Sequence, residues 1–152
     1  MTDIKKIEIL IFKIKNYLIG IDGEEVVEIV NIPQLFPLEE KYNFFDGIID
    51  FHGKKIPVLS LAKKWGVSSN AREKQIIIAK RDNSLIGFLI DSSEAVVEVP
   101  LSALDNFPDF IKLRSYADNF WAIMKLKDKI ILLLDTDVVI NEKEKILIKE
   151  IS

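Results

Sequence analysis

Gly47-Ile48-Ile49-Asp50-Phe51-His52-Gly53-Lys54-Lys55-Ile56-Pro57-Val58-Leu59-Ser60-Leu61 reads as two short strands folded back on each other. Its apolar residues are mostly β-branched, and His52-Gly53-Lys54 is the polar break between them. Gly47–Phe51 and Lys55–Leu61 are therefore expected as a hairpin. Pro57 lacks a ladder donor, so an edge or a bulge is expected there. Ser60 suits the cap of a short helix over Leu61–Trp65, which Gly66 would stop.

The same rhythm runs outward in both directions. Ile7–Lys15 and Tyr17–Ile21 form a hairpin turning at Lys15-Asn16. The apolar phase shifts within the first strand, which calls for a bulge or for burial of both faces. Asp22-Gly23-Glu24-Glu25 resembles a capping box and predicts one helical turn. Val26–Val30 is again extended. Beyond a polar stretch at 67–73, strands are expected at Gln75–Lys80, Leu85–Asp91 and Ala95–Val99. A last hairpin, Trp121–Leu126 with Lys129–Leu134, precedes a short helix capped by Asp135. Ile146, Ile148 and Ile151 in the tail 141–152 fit helix or strand equally. Phe44, Phe45, Phe107 and Phe110 lie in long connections and suit either core or contact roles. About ten short strands with little helix predict an all-β chain of two small barrels sharing an interface.

Composition narrows the chemistry. The 152 residues are long enough for one domain, or for two very small subdomains with a shared core. Apolar residues make up 49% and charged residues 30%, a globular balance. No apolar run reaches membrane-spanning length, and the N-terminus does not read as a secretory signal. The absence of cysteine removes disulfides, thiol nucleophiles and thiolate metal sites. Net charge is −3, and the lysines do not cluster with aromatics, which disfavours a barrel binding single-stranded nucleic acid. His52 is the sole histidine, and no Ser or Cys is patterned with it for catalysis. Asp22, Asp91 and Asp135 each end a strand and are expected to cap the turn that follows. Leu18–Asp22 faintly resembles Leu85–Asp91, and Ile56–Leu59 resembles Ile130–Leu133.

The opening segment also resembles the signature of the CheW family. That pattern runs Gly-aliphatic-aliphatic-Asn-aliphatic-Arg-Gly, two variable residues, then aliphatic-Pro-aliphatic-aliphatic-Asp-Leu. Both glycines, Pro57 and Leu61 are kept here; Asp50, His52 and Ser60 stand where the family has Asn, Arg and Asp. Val26-Val27-Glu28-Ile29 is similar to its Val-x-Glu-Ile motif. Ile86-Gly87-Phe88-Leu89-Ile90-Asp91 is similar to its Val-Gly-aliphatic-aliphatic-Val-Asp strand. The resemblance spans residues 7–140 in order.

What the resemblance implies is specific. The fold is two five-stranded SH3-like β-barrel subdomains packed together with a few short helices, linked provisionally near 67–73. The activity is non-enzymatic and needs no cofactor or metal. The protein is an adaptor that couples the cytoplasmic tips of methyl-accepting chemoreceptors to the CheW-like regulatory domain of the histidine kinase CheA. It is expected to be cytoplasmic, held at the inner membrane face through receptor arrays, with neither nucleic acid nor membrane insertion. An adaptor of another chemosensory output, such as pilus or gliding motility, is the alternative. The expected partner-binding residues are Val26, Glu28, Gly47, His52, Gly53, Pro57, Ile86 and Phe88. Val26, Glu28, Ile86 and Phe88 would border a groove between the barrels, and His52 would pair with Glu28.

Overall fold

The computed structural model describes residues 5–32, 35–38, 44–69, 71, 73–106 and 117–151. Eleven strands are described: β1 Lys6–Ile14, β2 Tyr17–Asp22, β3 Val26–Asn31, β4 Phe45–Phe51, β5 Lys54–Ser60, β6 Gln75–Arg81, β7 Ser84–Ile90, β8 Ser92–Pro100, β9 Leu104–Asp105, β10 Phe120–Leu126 and β11 Lys129–Leu134. The helices are α1 Leu61–Lys64, α2 Thr136–Val139 and α3 Glu142–Ile151. Single 3₁₀ turns occupy Gly23–Glu25, Leu101–Ala103 and Ala117–Asn119. Phe107 and Phe110 lie outside the described residues.

The turns follow from residue chemistry. Each tight hairpin turns on a residue with positive φ: Lys15 (57°), His52 (51°), Asp82 (53°) and Lys127 (57°). Ser60 Oγ accepts the Lys63 amide to start α1, and Asp135 accepts the amides of Asp137 and Val138 to start α2. Asp22 accepts the Glu24 amide. Asp91 departs from the capping expectation. It is buried and accepts the Lys15 amide at 2.6 Å, tying the β1–β2 turn to the end of β7.

The strands form two sheets, β8-β1-β2-β11-β10-β9 and β3-β6-β7-β5-β4. Each holds five full strands; the first adds the two-residue β9. The architecture is the expected one: all-β, two SH3-like subdomains, few short helices. The sheets also repeat one another. β2 pairs in parallel with β11, and β7 pairs in parallel with β5. Gly20 lies opposite Leu133 as Gly87 lies opposite Val58. Register shifts leave Val27 and Glu94 as extra residues at matching points, and likewise Asp46 and Trp121. Phe36 bridges Ile48 on the outer edge of β4, where β9 pairs with β10 in the other sheet.

This repeat corrects the expected link. Residues 67–73 join two sequence repeats, but the strands on either side of them, β5 and β6, lie in the same sheet. The chain crosses between sheets at Gly23–Glu25 and at Asp91 instead.

Three apolar clusters form among the described residues. Ile9, Ile11, Met124, Ile131 and Leu133 form the core of the first sheet. Ile49, Ile56, Val58, Ile76 and Ile78 form that of the second. Between the sheets lie Phe12, Ile14, Ile19, Ile77, Ile86 and Phe88, joined by Leu147 and Ile148 of α3. The phase shift in β1 is thereby explained, because Ile9 and Ile11 face one core while Leu10, Phe12 and Ile14 face another. Phe45 is buried and Phe44 packs against the shared core.

Candidate partner-binding surface

The β4–β5 hairpin carries the signature residues. His52 and Gly53 form its two-residue turn, both exposed, with Gly53 at φ +81°. Asp50 Oδ1 accepts the Gly53 amide at 3.0 Å, and the His52 ring packs edge-on against Phe51 at 4.3 Å. Gly47 is buried in β4 beside the register shift, at φ +147°. A Cβ there would sit 2.6 Å from the Phe36 carbonyl oxygen. Only glycine lets the 35–36 segment close on β4, where Phe36 and Ile48 exchange two hydrogen bonds of 2.8 Å.

Pro57 departs from the edge expectation, since β5 is interior, between β7 and β4. The register explains why it is tolerated. Its partner Ile48 points both backbone polar groups outward at Phe36, so Ile48 and Pro57 form a non-hydrogen-bonded pair. The parallel ladder to β7 begins only at Val58. The missing donor removes no ladder bond on either side.

Val26 and Glu28 lie on β3, the outer strand of the second sheet. Val26 is half-buried and Glu28 exposed. The bulge between them turns Val27 outward, 48% exposed. Glu28 and His52 belong to strands at opposite ends of the sheet order, and no ion pair joins them among the described residues. The expected pairing is therefore not made. Ile86 and Phe88 also depart from expectation. Both are buried in the core between the sheets, so they support the surface from beneath and do not line it.

Residues that the sequence reading passed over are exposed nearby. Val27, Ile32 and Phe36 are 42–48% exposed. Phe36, Leu38, Ile48, Asp50 and the α3 residues Leu147 and Ile151 line a cleft of about 620 Å³. The Val26-Val27 pair was the one sequence trace of the bulge, because two adjacent valines cannot both face inward on a regular strand. For Phe36 the trace was its place in a long, proline-flanked connection.

Ion pairs hold the helices around this surface. Lys64, its side chain largely buried, pairs with the buried Glu144 and lies over the Phe44 ring. Asn141 and Glu144 accept one another's amides at 2.8 Å, a full capping box for α3. Arg81, at the end of β6, reaches Glu25 at 3.3 Å and Asp137 at 2.9 Å, and Lys145 reaches Asp137 at 3.3 Å. Burial raises the Glu25 carboxyl above its ordinary value, against the Thr136 hydroxyl and Arg81, which pull it down. Hydrogen bonds from Arg81 and Lys145 hold Asp137 below its own. Among the described residues, no three metal-ligating side chains converge, and no helix is long and apolar enough to cross a membrane.

Two of the three signature departures do not disturb the backbone. Asp50 serves the turn through one carboxylate oxygen, which an Asn side chain also offers. Ser60 caps α1 as its counterpart Asp135 caps α2. His52 and the added negative charge of the exposed Asp50 change what the hairpin presents to its surroundings.

Comparison with known proteins agrees with this geometry. The CheW-like domain model matches residues 8–144. The chemotaxis protein CheW of Thermotoga maritima is 28% identical over 144 residues, covering 91% of each chain. The chemotaxis protein CheV3 of Helicobacter pylori is 25% identical over 127 residues, which span 81% of this chain and 41% of that one. The solved structure of the scaffolding protein TtCheW from Thermoanaerobacter tengcongensis shares the fold, with a TM-score of 0.81 over 92% of this chain and 91% of that one, at 23% identity. With its signature hairpin, its paired sheets and a family match over nearly its whole length, the chain belongs to the CheW-like domain family.

Proposed function

We propose that this chain is a non-enzymatic chemotaxis adaptor. It joins the cytoplasmic tip of methyl-accepting chemoreceptors to the regulatory domain of the histidine kinase CheA, in the cytoplasm at the inner face of the membrane. The observation that carries this reading is coverage. The family match takes up residues 8–144, and the T. maritima relative named CheW aligns over 91% of both lengths. Function would then be geometric: two partners are held at once, and nothing is turned over. The exposed parts of the β4–β5 hairpin and the bulged β3 edge are the surfaces available to partners here. Gly47 and Pro57 act by shaping the hairpin, and Val26, Glu28, His52 and Gly53 by direct contact.

The test is calorimetric titration of the purified chain against the regulatory domain of the CheA encoded in the same genome. A saturable 1:1 isotherm is expected, weakened about tenfold or more by Val26→Asp in a chain with unchanged circular dichroism. His52→Arg should leave the affinity equal or make it tighter, since arginine offers the longer, forked donor. A folded wild-type chain that gives no isotherm would overturn the reading.

A further inference from the structure

The two sheets repeat in register but not in surface. With Gly20 matched to Gly87 and Leu133 to Val58, Asn16 falls on Asn83 and Leu18 on Leu85. Lys129 falls on Lys54 and Ile130 on Lys55. In the second sheet Asn83, Leu85, Lys54 and Lys55 line a groove closed by Ile151, the last residue of α3. Glu150, beside it, shares a cleft with Lys55. In the first sheet the counterparts Asn16, Leu18, Lys129 and Ile130 line an open groove of about 400 Å³. All its lining residues come from β1, β2, β11 and the β1–β2 turn, so no helix closes it among the described residues.

The open groove is also the more apolar of the two. Tyr17 stands where the second sheet has Ser84, and Ile130 where the closed groove has Lys55. These two side chains are 55% and 56% exposed. Side by side they form an exposed apolar patch rimmed by polar residues. The rim is basic: Lys13 and Lys129 line it, with no carboxylate among the lining residues. Lys13 approaches Glu94 at 3.7 Å, whereas Lys129 forms no ion pair among the described residues.

We propose that this groove docks an amphipathic helix of another protein, one that presents an aliphatic side chain flanked by carboxylates. The chain itself supplies the precedent, because Ile151 and Glu150 at the end of α3 hold that position in the other half. Helix-in-groove recognition uses just such spaced apolar anchors, and the lysines select acidic flanks. The site lies on the sheet that does not carry the signature hairpin, so it adds a contact to those in the proposed function.

The test uses the full-length ¹⁵N-labelled chain and a lactam-bridged peptide of its own residues 141–151. Amide shifts that saturate at Asn16–Leu18 and Lys129–Leu132 are expected. Ile130→Asp and Lys129→Glu should each weaken binding about tenfold without lowering the melting temperature, and so should a peptide with Ile151→Ala. Lys129→Glu changes an exposed side chain, so it keeps the test valid if Ile130→Asp does not fold. Shifts confined to the starts of β5 and β7 would mean that the peptide only displaces α3, and would overturn the proposal. So would binding indifferent to both substitutions. A chain that dimerises through this groove, as judged by loss of the dimer in Ile130→Asp, would make the occupant a second copy and overturn the assignment to another protein.

Discussion

Gly47 and Gly53 stand six positions apart in one hairpin and are glycine for partly different reasons. Gly53 needs a positive φ and faces open space. Gly47 also needs a positive φ, and beyond that the absence of a side chain, because Phe36 closes on it. Gly53→Ala should therefore cost about 1 kcal/mol, and Gly47→Ala about 2–3 kcal/mol, since the backbone at Phe36 must also move. Urea denaturation at neutral pH measures both; equal losses would remove the contact with Phe36 as the cause. The sequence made the reason for Gly53 plain, since a polar break between apolar runs is a local signal. For Gly47 it showed the same need but hid the second reason, which depends on a carbonyl eleven residues away. Pro57 misled in the same manner. Its tolerance rests on which way Ile48 points its amide, and that depends on the pairing register.

Among the elements, hairpins were the most legible and α3 the least. Each hairpin has its turn residues beside its strands, so the reading needed only neighbours. In α3 the run Ile146-Leu147-Ile148 fits either period, and packing decides it: Leu147 and Ile148 are buried while Ile146 is 59% exposed. One local signal was present, the Asn141-x-x-Glu144 capping box. Glu144 also neutralises Lys64 away from solvent. Glu144→Ala removes the cap and leaves a poorly hydrated ammonium group, a combination expected to cost about 3 kcal/mol. Urea denaturation measures the loss, and proteolysis near the C-terminus should speed up if α3 detaches first. A loss well under 1 kcal/mol would mean that Lys64 finds water without cost.

For the whole molecule, the barrels were legible and their interlock was not. Strand count and turn spacing are enough to predict two small β units. The duplication survives chiefly in geometry, in matching bulges and caps built from unlike residues such as Asp46 and Trp121 or Ser60 and Asp135. Sequence comparison sees only the residues, so it found a faint repeat and mistook 67–73 for the joint between barrels. Each repeat contributes strands to both sheets. Fragments divided between residues 66 and 75 should thus be unfolded separately and regain sheet structure when mixed, as followed by circular dichroism. Native-like spectra for either fragment alone would contradict the interlock.

The crossing at Asp91 also sets an order of events during synthesis. The second sheet runs without interruption from Val26 to Ile90, so it is complete as soon as that stretch clears the ribosome. The first hairpin has no such neighbour. Both flanks of β1–β2 stay unpaired until β8 arrives on one side and β11, ending at Leu134, on the other. Unpaired apolar strand edges are where nascent chains stick to one another. The first of these strands to be made are thus among the last to be secured.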